Sequence, residues 1–309
     1  MIIHEGYKNI KLRKPVVTLG YFDGVHKGHA FLLGTLVKRA REIGGESVIV
    51  TFYPHPRQVL SHNNSGLTFL NSLDEKEILL EKANIDHLII VPFTHEFSKK
   101  EACEFIKEVL VDVVGMKELF VGFNHHFGRG GRGDYSTILE CSKKYGFRVE
   151  KVQGISSPEG NISSTIIREA LLSGELEKAN MLLGYNYFIN GIIVEGKHLG
   201  SSIGFPTANI NVDYENKLIP KTGVYAVEVV HEGKVYKGML NIGFRPTTNA
   251  GSEPLTIEVH LFDFKLNIYN SKITLVFRFM MRDEMKFDNI NFLVEQLHKD
   301  ERIARRLLE

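Results

Sequence analysis

Tryptophan is absent from this chain of 309 residues, and cysteine occurs only at Cys103 and Cys141. Two cysteines far apart and outside any C-x-x-C pair argue against a disulfide scaffold and a cysteine-built zinc site. A reduced cytoplasm is the expected setting. Charge of one sign is lacking too. Thirty-eight Lys and Arg against 37 Asp and Glu leave a formal net charge of +1, which gives no basic footprint for duplex nucleic acid. No apolar run approaches the ~20 residues of a membrane helix. The opening MIIHEGYKNIKLRKP has no secretory h-region. No Walker A sequence occurs, which excludes a P-loop kinase. What is present is an ordinary globular composition, in a length that favours two domains.

Two kinds of patterning follow one another. Through the first ~185 residues, short apolar runs alternate with amphipathic stretches. Strands are predicted at Val16–Gly20, Ser47–Tyr53, His87–Pro92, Glu118–Phe123 and Phe147–Gln153. A helix over Phe31–Ala40 places Leu32, Leu33, Leu36, Val37 and Ala40 on one side, and Gly44-Gly45 ends it. Ser72…Glu75 and Ser98…Glu101 read as capping boxes that open two more helices. This grammar predicts a doubly wound parallel α/β sheet, with ligands beyond the carboxyl ends of its strands. After GYNYFING (184–191) the period becomes two, with Tyr225, Val227 and Val229 alternating and HEGK (231–234) as a hairpin turn. Further strands are predicted at Val235–Ile242, Thr256–Phe264 and Lys272–Met281, with a helix over Ile290–Leu308. An antiparallel barrel or sandwich is the expectation there. The predicted domains are 1–183 and 184–309.

YFDGVHKGH (21–29) sets His26 and His29 three apart where the first strand gives way to a helix. On a starting helix both rings point to one side. Helix N-termini attract anions, and imidazole donates a hydrogen bond without a fixed charge. Gly24 and Gly28 let the backbone approach a ligand. A surface turn explains an isolated H-x-x-H equally well. A zinc site would want a third ligand and a Glu base, and neither is adjacent. A second helix start, ISSTIIREAL (162–171), offers Ser163, Ser164 and Thr165 with Arg168 one turn on. In the second half, GFPTANI (204–210) carries Thr207 and Asn209, whose oxygens suit magnesium beside phosphate. Read alone, PTAN is a turn. In TIEVHLFDF (256–264), period two puts Glu258 and His260 on one face. Glu258 is there either a general base or an exposed carboxylate.

GYFDGVHKGH with SSTIIR resembles the nucleotidylyltransferase superfamily. FYPHPRQVL (52–60), VGFNHHFGRGGRGD (121–134), GFPTAN, NIGFRPT and RDEMKFDNINFLVEQLHKD narrow the resemblance to bacterial bifunctional riboflavin kinase/FMN adenylyltransferases, from about Val16 to the C-terminus. The resemblance implies a nucleotidylyltransferase-like sheet domain followed by a riboflavin-kinase-like barrel with a C-terminal helix. It implies phosphorylation of riboflavin to FMN and adenylylation of FMN to FAD, with ATP, riboflavin and FMN as small-molecule substrates and Mg²⁺ as cofactor; no membrane or nucleic-acid partner is expected, and oligomeric state is left open. His26 and His29 would stabilise charge on the ATP phosphates, and Ser164, Thr165 and Arg168 would hold the departing ones. Gly20, Phe22, Asp23, Gly24 and Asn124 would surround the nucleotide and its metal, and His55 and Pro56 would border flavin. Thr207 and Asn209 would bind Mg-ATP in the kinase half, and Glu258 would be the base. Gly196, Lys197, Gly204 and Pro206 would belong to a loop over the phosphates, and Arg282 would face the flavin. Two departures stand out: Ile166 replaces the first Arg of S-S-T-R-I-R, and Ser201 stands where the family often has Arg. They motivate an alternative with only one live activity. A non-catalytic flavin- or nucleotide-binding protein is the third reading.

Overall fold

A computed structural model of the chain describes residues 1–61, 66–122, 127–154, 156–157, 160–195, 200–244, 255–264 and 266–309. It falls into two compact units. The first comprises Met1–Phe69 and Leu73–Ser163, the second Leu70–Ser72 and Ser164–Glu309.

The first unit is built on six parallel strands: β1 (Ile2–Glu5), β2 (Pro15–Leu19), β3 (Glu46–Tyr53), β4 (His87–Pro92), β5 (Glu118–Val121) and β6 (Arg148–Lys151). Their order is β1-β4-β3-β2-β5-β6. β2 and β5 are buried along their whole length, as strands covered on both faces must be. The order reverses between β2 and β5, and such a switch point is where an open α/β sheet leaves a crevice for ligands. The helices are α1 (Lys27–Glu42), α2 (Pro56–Leu60), α3 (Leu73–Lys82), α4 (Ala102–Phe105), which continues as a π-helical stretch to Val111, and α5 (Tyr135–Tyr145). A short pair, β7 (Ser156–Ser157) and β8 (Gly160–Asn161), closes the unit.

Three local expectations change. The second capping box lies three residues late: Glu101 precedes α4, its N–H bonds Glu104 Oε2 at 3.3 Å, and Ser98 Oγ turns back to His95 O. β1 carried too short a pattern, IIHE, to be recognised, and it is held as an edge strand by its pairing with β4. The cysteines are not separate. Packing of α4 against α5 brings the Cα atoms of Cys103 and Cys141 to 5.7 Å, within disulfide reach, and the structure joins them.

The second unit is a closed antiparallel barrel of β9 (Phe188–Val194), β10 (Ala208–Val212), β11 (Gly223–His231), β12 (Lys234–Phe244), β13 (Leu255–Leu261) and β14 (Lys272–Arg282), in the order β10-β13-β12-β11-β14-β9. Closure removes the sheet edges, and the sandwich alternative falls. PTAN is not only a turn, because Ala208 and Asn209 already belong to β10. α6 (Ser164–Ser173) and α7 (Leu176–Leu183) cluster with this barrel. Asn180 explains part of that. Its amide donates to Phe277 O at 3.2 Å and its carbonyl accepts from Tyr187 N at 2.7 Å. Gly184 ends α7 at φ +86°, a conformation that favours glycine.

α8 (Ile290–Leu307) covers one side of the barrel, packing Ala304 and Leu308 with Ala226, Met239, Phe205 and Phe262. Asp300, 1% exposed, fixes its azimuth. It accepts from Arg282 Nη2 at 2.6 Å, from Arg282 Nε at 3.1 Å and from Gln296 at 2.8 Å. Asp300→Ala leaves a guanidinium mostly shielded from water without its counter-charge, and a loss of about 3 kcal/mol is expected. Urea denaturation followed by circular dichroism measures it. A loss under about 1 kcal/mol would mean the pair behaves as a surface ion pair.

Candidate functional sites

The turn from β2 into α1 is tightly wound. Phe22, Gly24 and Val25 have φ of +48°, +82° and +35°, and Val25 N bonds Phe22 O at 3.1 Å. Phe22 and the β-branched Val25 in this region are strained, at a cost of order 1–3 kcal/mol each. Gly20 is also restricted, since a Cβ there would meet the Phe22 ring at 3.2 Å. The result is that His26 becomes the N-cap of α1, its Nδ1 accepting the N–H of His29 at 3.3 Å. That bond leaves the proton of a neutral His26 on Nε2. The His26 and His29 rings stack at 3.7 Å, and Phe22 meets His29 edge-on at 5.1 Å. Gly28 has a more specific task than general access: a Cβ there would strike the His26 ring at 3.1 Å, and Ile162 O lies 3.8 Å away.

Burial drives the electrostatics. His26 is pushed down to about 4, chiefly by desolvation. His29 falls well below 6.5, by desolvation first and then by the charges of His26 and Lys76. Both imidazoles are therefore neutral near pH 7. His29 Nδ1 is buried with no hydrogen-bond partner. Among the described residues no group of three His, Cys, Asp or Glu could hold a metal ion.

His55 caps α2, accepting the N–H of Arg57 at 3.1 Å, with Pro56 as the first helical residue. Its ring lies 4.3 Å from Tyr21 and 4.7 Å from Phe69, and Tyr21 continues to Phe52 at 5.8 Å. These residues make an aromatic wall at the carboxyl ends of β2 and β3. The sequence motifs point to His55 and Pro56 but not to Tyr21 and Phe69. The only signal was that Tyr21 adjoins the histidine motif. Asn124, Gly196 and Lys197 lie outside the described residues. Ser164 and Thr165 open α6, and Arg168 follows one turn later, all in the second unit.

In the barrel, β13 runs between β10 and β12, and Glu258 is paired in register with Asn209 on one side and Asn241 on the other. Thr207 Oγ1 donates to Glu258 Oε2 at 3.4 Å. Hydroxyl, amide and carboxylate thus meet on one face. That face is not the barrel interior. Ile257, Val259 and Leu261 turn inward, with Leu240 and Ile242 across from them, because a six-stranded barrel fills its lumen with side chains. Glu258 shares the outer face with His260, whose register partner Met239 packs under α8.

The turn carrying Thr207 is pinned from three directions. His260 Nδ1 bonds Pro206 O at 2.7 Å, Phe205 N bonds Gly200 O at 2.9 Å, and the Phe205 ring is buried against His260 and His298. Gly204, at φ +86°, makes the bend. Arg282 is engaged elsewhere: its guanidinium is bound to Asp300 and to Asp283 O. Asn241, which pairs with Glu258, carried no signal in sequence except its place in NIGFRPT.

Comparison with known proteins agrees with this two-part geometry. A family model described as FAD synthetase matches residues 8–166, and one described as riboflavin kinase matches residues 183–308. The bifunctional riboflavin kinase/FMN adenylyltransferase of Bacillus subtilis is 37% identical over 95% of this chain and 92% of its own. The Escherichia coli K12 protein of the same name is 36% identical over 94% and 91%. A crystal structure described as a macrolide-efflux protein from Streptococcus pneumoniae has a TM-score of 0.88 at 32% identity, covering 98% of both chains. Among the described residues of the present chain, no helix is long and apolar enough to cross a membrane. With two family models in tandem and relatives matched over more than nine tenths of its length, the chain belongs to the bifunctional riboflavin kinase/FMN adenylyltransferase family.

Proposed function

We propose that this chain converts riboflavin to FMN and FMN to FAD, using ATP in each step, with the first activity in residues 184–309 and the second in 1–183. The observation that carries the reading is the presence, in one chain, of two unlike sites suited to phosphate chemistry. One is a neutral histidine pair at a switch point, and the other is a carboxylate, hydroxyl and amide cluster on a barrel. Its partners are ATP and the two flavins, and its setting is the cytoplasm, where ATP is held.

In FAD formation, a phosphate oxygen of FMN attacks the α-phosphorus of ATP as the bond to the β-phosphate breaks and pyrophosphate leaves. His26, with its proton on Nε2, and His29 donate hydrogen bonds to the oxygens that gain charge. Gly20, Phe22, Asp23 and Gly24 shape the turn that aims them. His55, Pro56, Tyr21 and Phe69 form the apolar wall for the flavin ring, and burial raises the Tyr21 phenol, which keeps it uncharged there. The motifs also imply phosphate-binding roles for Ser164, Thr165 and Arg168 and a nucleotide role for Asn124.

In FMN formation, the ribityl hydroxyl attacks the γ-phosphorus of ATP, its proton passes to Glu258, and ADP leaves. Thr207 and Asn209 fit magnesium and would hold it, since both bring neutral hard oxygens beside a carboxylate. When bound, the ion offsets phosphate charge. Gly204 and Pro206 set the bend that presents Thr207, Gly196 and Lys197 are phosphate contacts that the resemblance implies, and Arg282, which the resemblance places toward the flavin, also ties α8 down through Asp300.

Incubation with riboflavin, ATP and MgCl₂, followed by chromatography, should yield both FMN and FAD. FMN alone would leave a kinase, and neither product would remove the reading. Glu258→Gln should lower FMN formation by about 10²-fold or more while FMN supplied directly is still converted to FAD. His29→Ala should do the reverse, cutting FAD formation by roughly 10²-fold. A variant that loses both reactions equally would indicate misfolding. The histidines also leave a mark on stability. His26 binds a proton less readily folded than unfolded, so its contribution is full above 6.5 and is lost as pH falls towards about 4. The thermal midpoint should therefore drop between about pH 7 and pH 5, and drop less in His26→Gln. Equal slopes in calorimetry would mean His26 titrates normally.

A further inference from the structure

Glu258 has neighbours on two sides, and phosphoryl transfer needs both. On the β10 side lie Thr207 and Asn209, the residues that fit magnesium beside the ATP phosphates. An in-line displacement brings the attacking hydroxyl from the side opposite the leaving group. The acceptor chain therefore reaches Glu258 over the β12 side, where Asn241 is the register partner.

Two residues beyond Asn241, on the same outer face of β12, stands Gly243, paired with Thr256. A glycine inside a strand often marks a close approach by another group, and here that group is a second carboxylate. A Cβ at Gly243 would fall 1.9 Å from Glu284 Oε1 and 3.0 Å from Asn241 Nδ2. The Glu284 side chain thus lies directly over the Gly243 backbone and beside the Asn241 amide. A fastened segment brings it there. Arg282 ends β14 opposite Val224 and is bound to Asp300, and Asp283 is paired with Lys221 at 2.7 Å. The Glu284 carboxylate is exposed and, among the described residues, has neither an ion pair within 4.0 Å nor a hydrogen bond. Across the outer face the order is magnesium-side oxygens, the Glu258 carboxylate, the Asn241 amide and then the Glu284 carboxylate.

We propose that Glu284 accepts hydrogen bonds from the secondary hydroxyls of the ribityl chain, with Asn241 beside it, and so selects a polyol acceptor and aims its terminal hydroxyl at Glu258. The proposal rests on the kinase reading of the barrel. An ionised carboxylate only accepts hydrogen bonds, and its bonds to hydroxyls are charge-assisted. A chain lacking those hydroxyls leaves the bonds unmade, which is how a site built for hydroxyls turns away a deoxy analogue.

Two substitutions in the full chain test this: Glu284→Ala removes the acceptor, and Glu284→Gln keeps one acceptor oxygen without the charge. Each is assayed with riboflavin and with an analogue bearing an ω-hydroxypentyl chain, which keeps the ring and the terminal hydroxyl and lacks the secondary ones. Quenching of flavin fluorescence measures binding apart from turnover, and conversion of supplied FMN to FAD reports on folding. The parent should prefer riboflavin by about 10²-fold in kcat/KM. Glu284→Ala should raise KM for riboflavin by about tenfold or more, leave the analogue within about threefold of the parent and leave KM for ATP unchanged. Glu284→Gln should fall between. Equal losses with both acceptors would make Glu284 a structural support and end the proposal. Riboflavin kinetics within about threefold of the parent in Glu284→Ala would end it too, as would a parent indifferent to the secondary hydroxyls. A parent whose riboflavin binding depends on Glu284 but that forms no FMN would overturn the kinase reading and keep the polyol contact. A parent that binds no riboflavin overturns both.

Discussion

Desolvation of two imidazoles at the end of β2 is the constraint from which the first unit can be understood. His26 and His29 stack at 3.7 Å and stay neutral because water is excluded from them. Excluding water requires the turn to fold back on itself, and that is why Phe22 and Val25 accept left-handed backbone and why Gly28 has no side chain to push His26 away. The turn follows directly on a fully buried strand. The same dryness that suppresses histidine charge makes any fixed cation nearby more effective, so pKa and ligand preference share one cause.

The barrel solves its problem by register. Glu258 owes its place to β13 pairing with β10 through Asn209 and with β12 through Asn241. A one-residue slip would send the carboxylate into an apolar lumen and Ile257 or Val259 outward. Fastening the turn before β10 through Phe205 and His260 protects that register where strand pairing is short. Arg282 and Asp300 hold α8 over the neighbouring face, so the helix is part of the scaffold for the site.

Much of this was legible in the sequence, and the reasons differ by residue. Buried strands such as VVTL, and the amphipathic run from Leu32 to Ala40, are single-period patterns that packing rarely overrides. His26, His29, Thr207 and Glu258 were named because their residue types carry chemistry in a recognisable order. IIHE was missed since an edge strand of four residues is held by its neighbour and has no pattern of its own. The outward face of Glu258 could not be read, because alternation gives two faces and leaves open which one a closed barrel turns inward. Tyr21, Phe69 and the Cys103–Cys141 link depend on tertiary proximity between distant segments, which no local spacing encodes.

The account depends most on the histidine pair being uncharged where phosphate binds. Nitrogen-15 chemical shifts of the imidazoles of His26 and His29, assigned by comparison with single-histidine variants and recorded at about pH 6, test this directly. Neutral rings for both, with Nδ1 of His26 bare and its proton on Nε2, are predicted. Imidazolium signals from either ring at that pH would contradict the account.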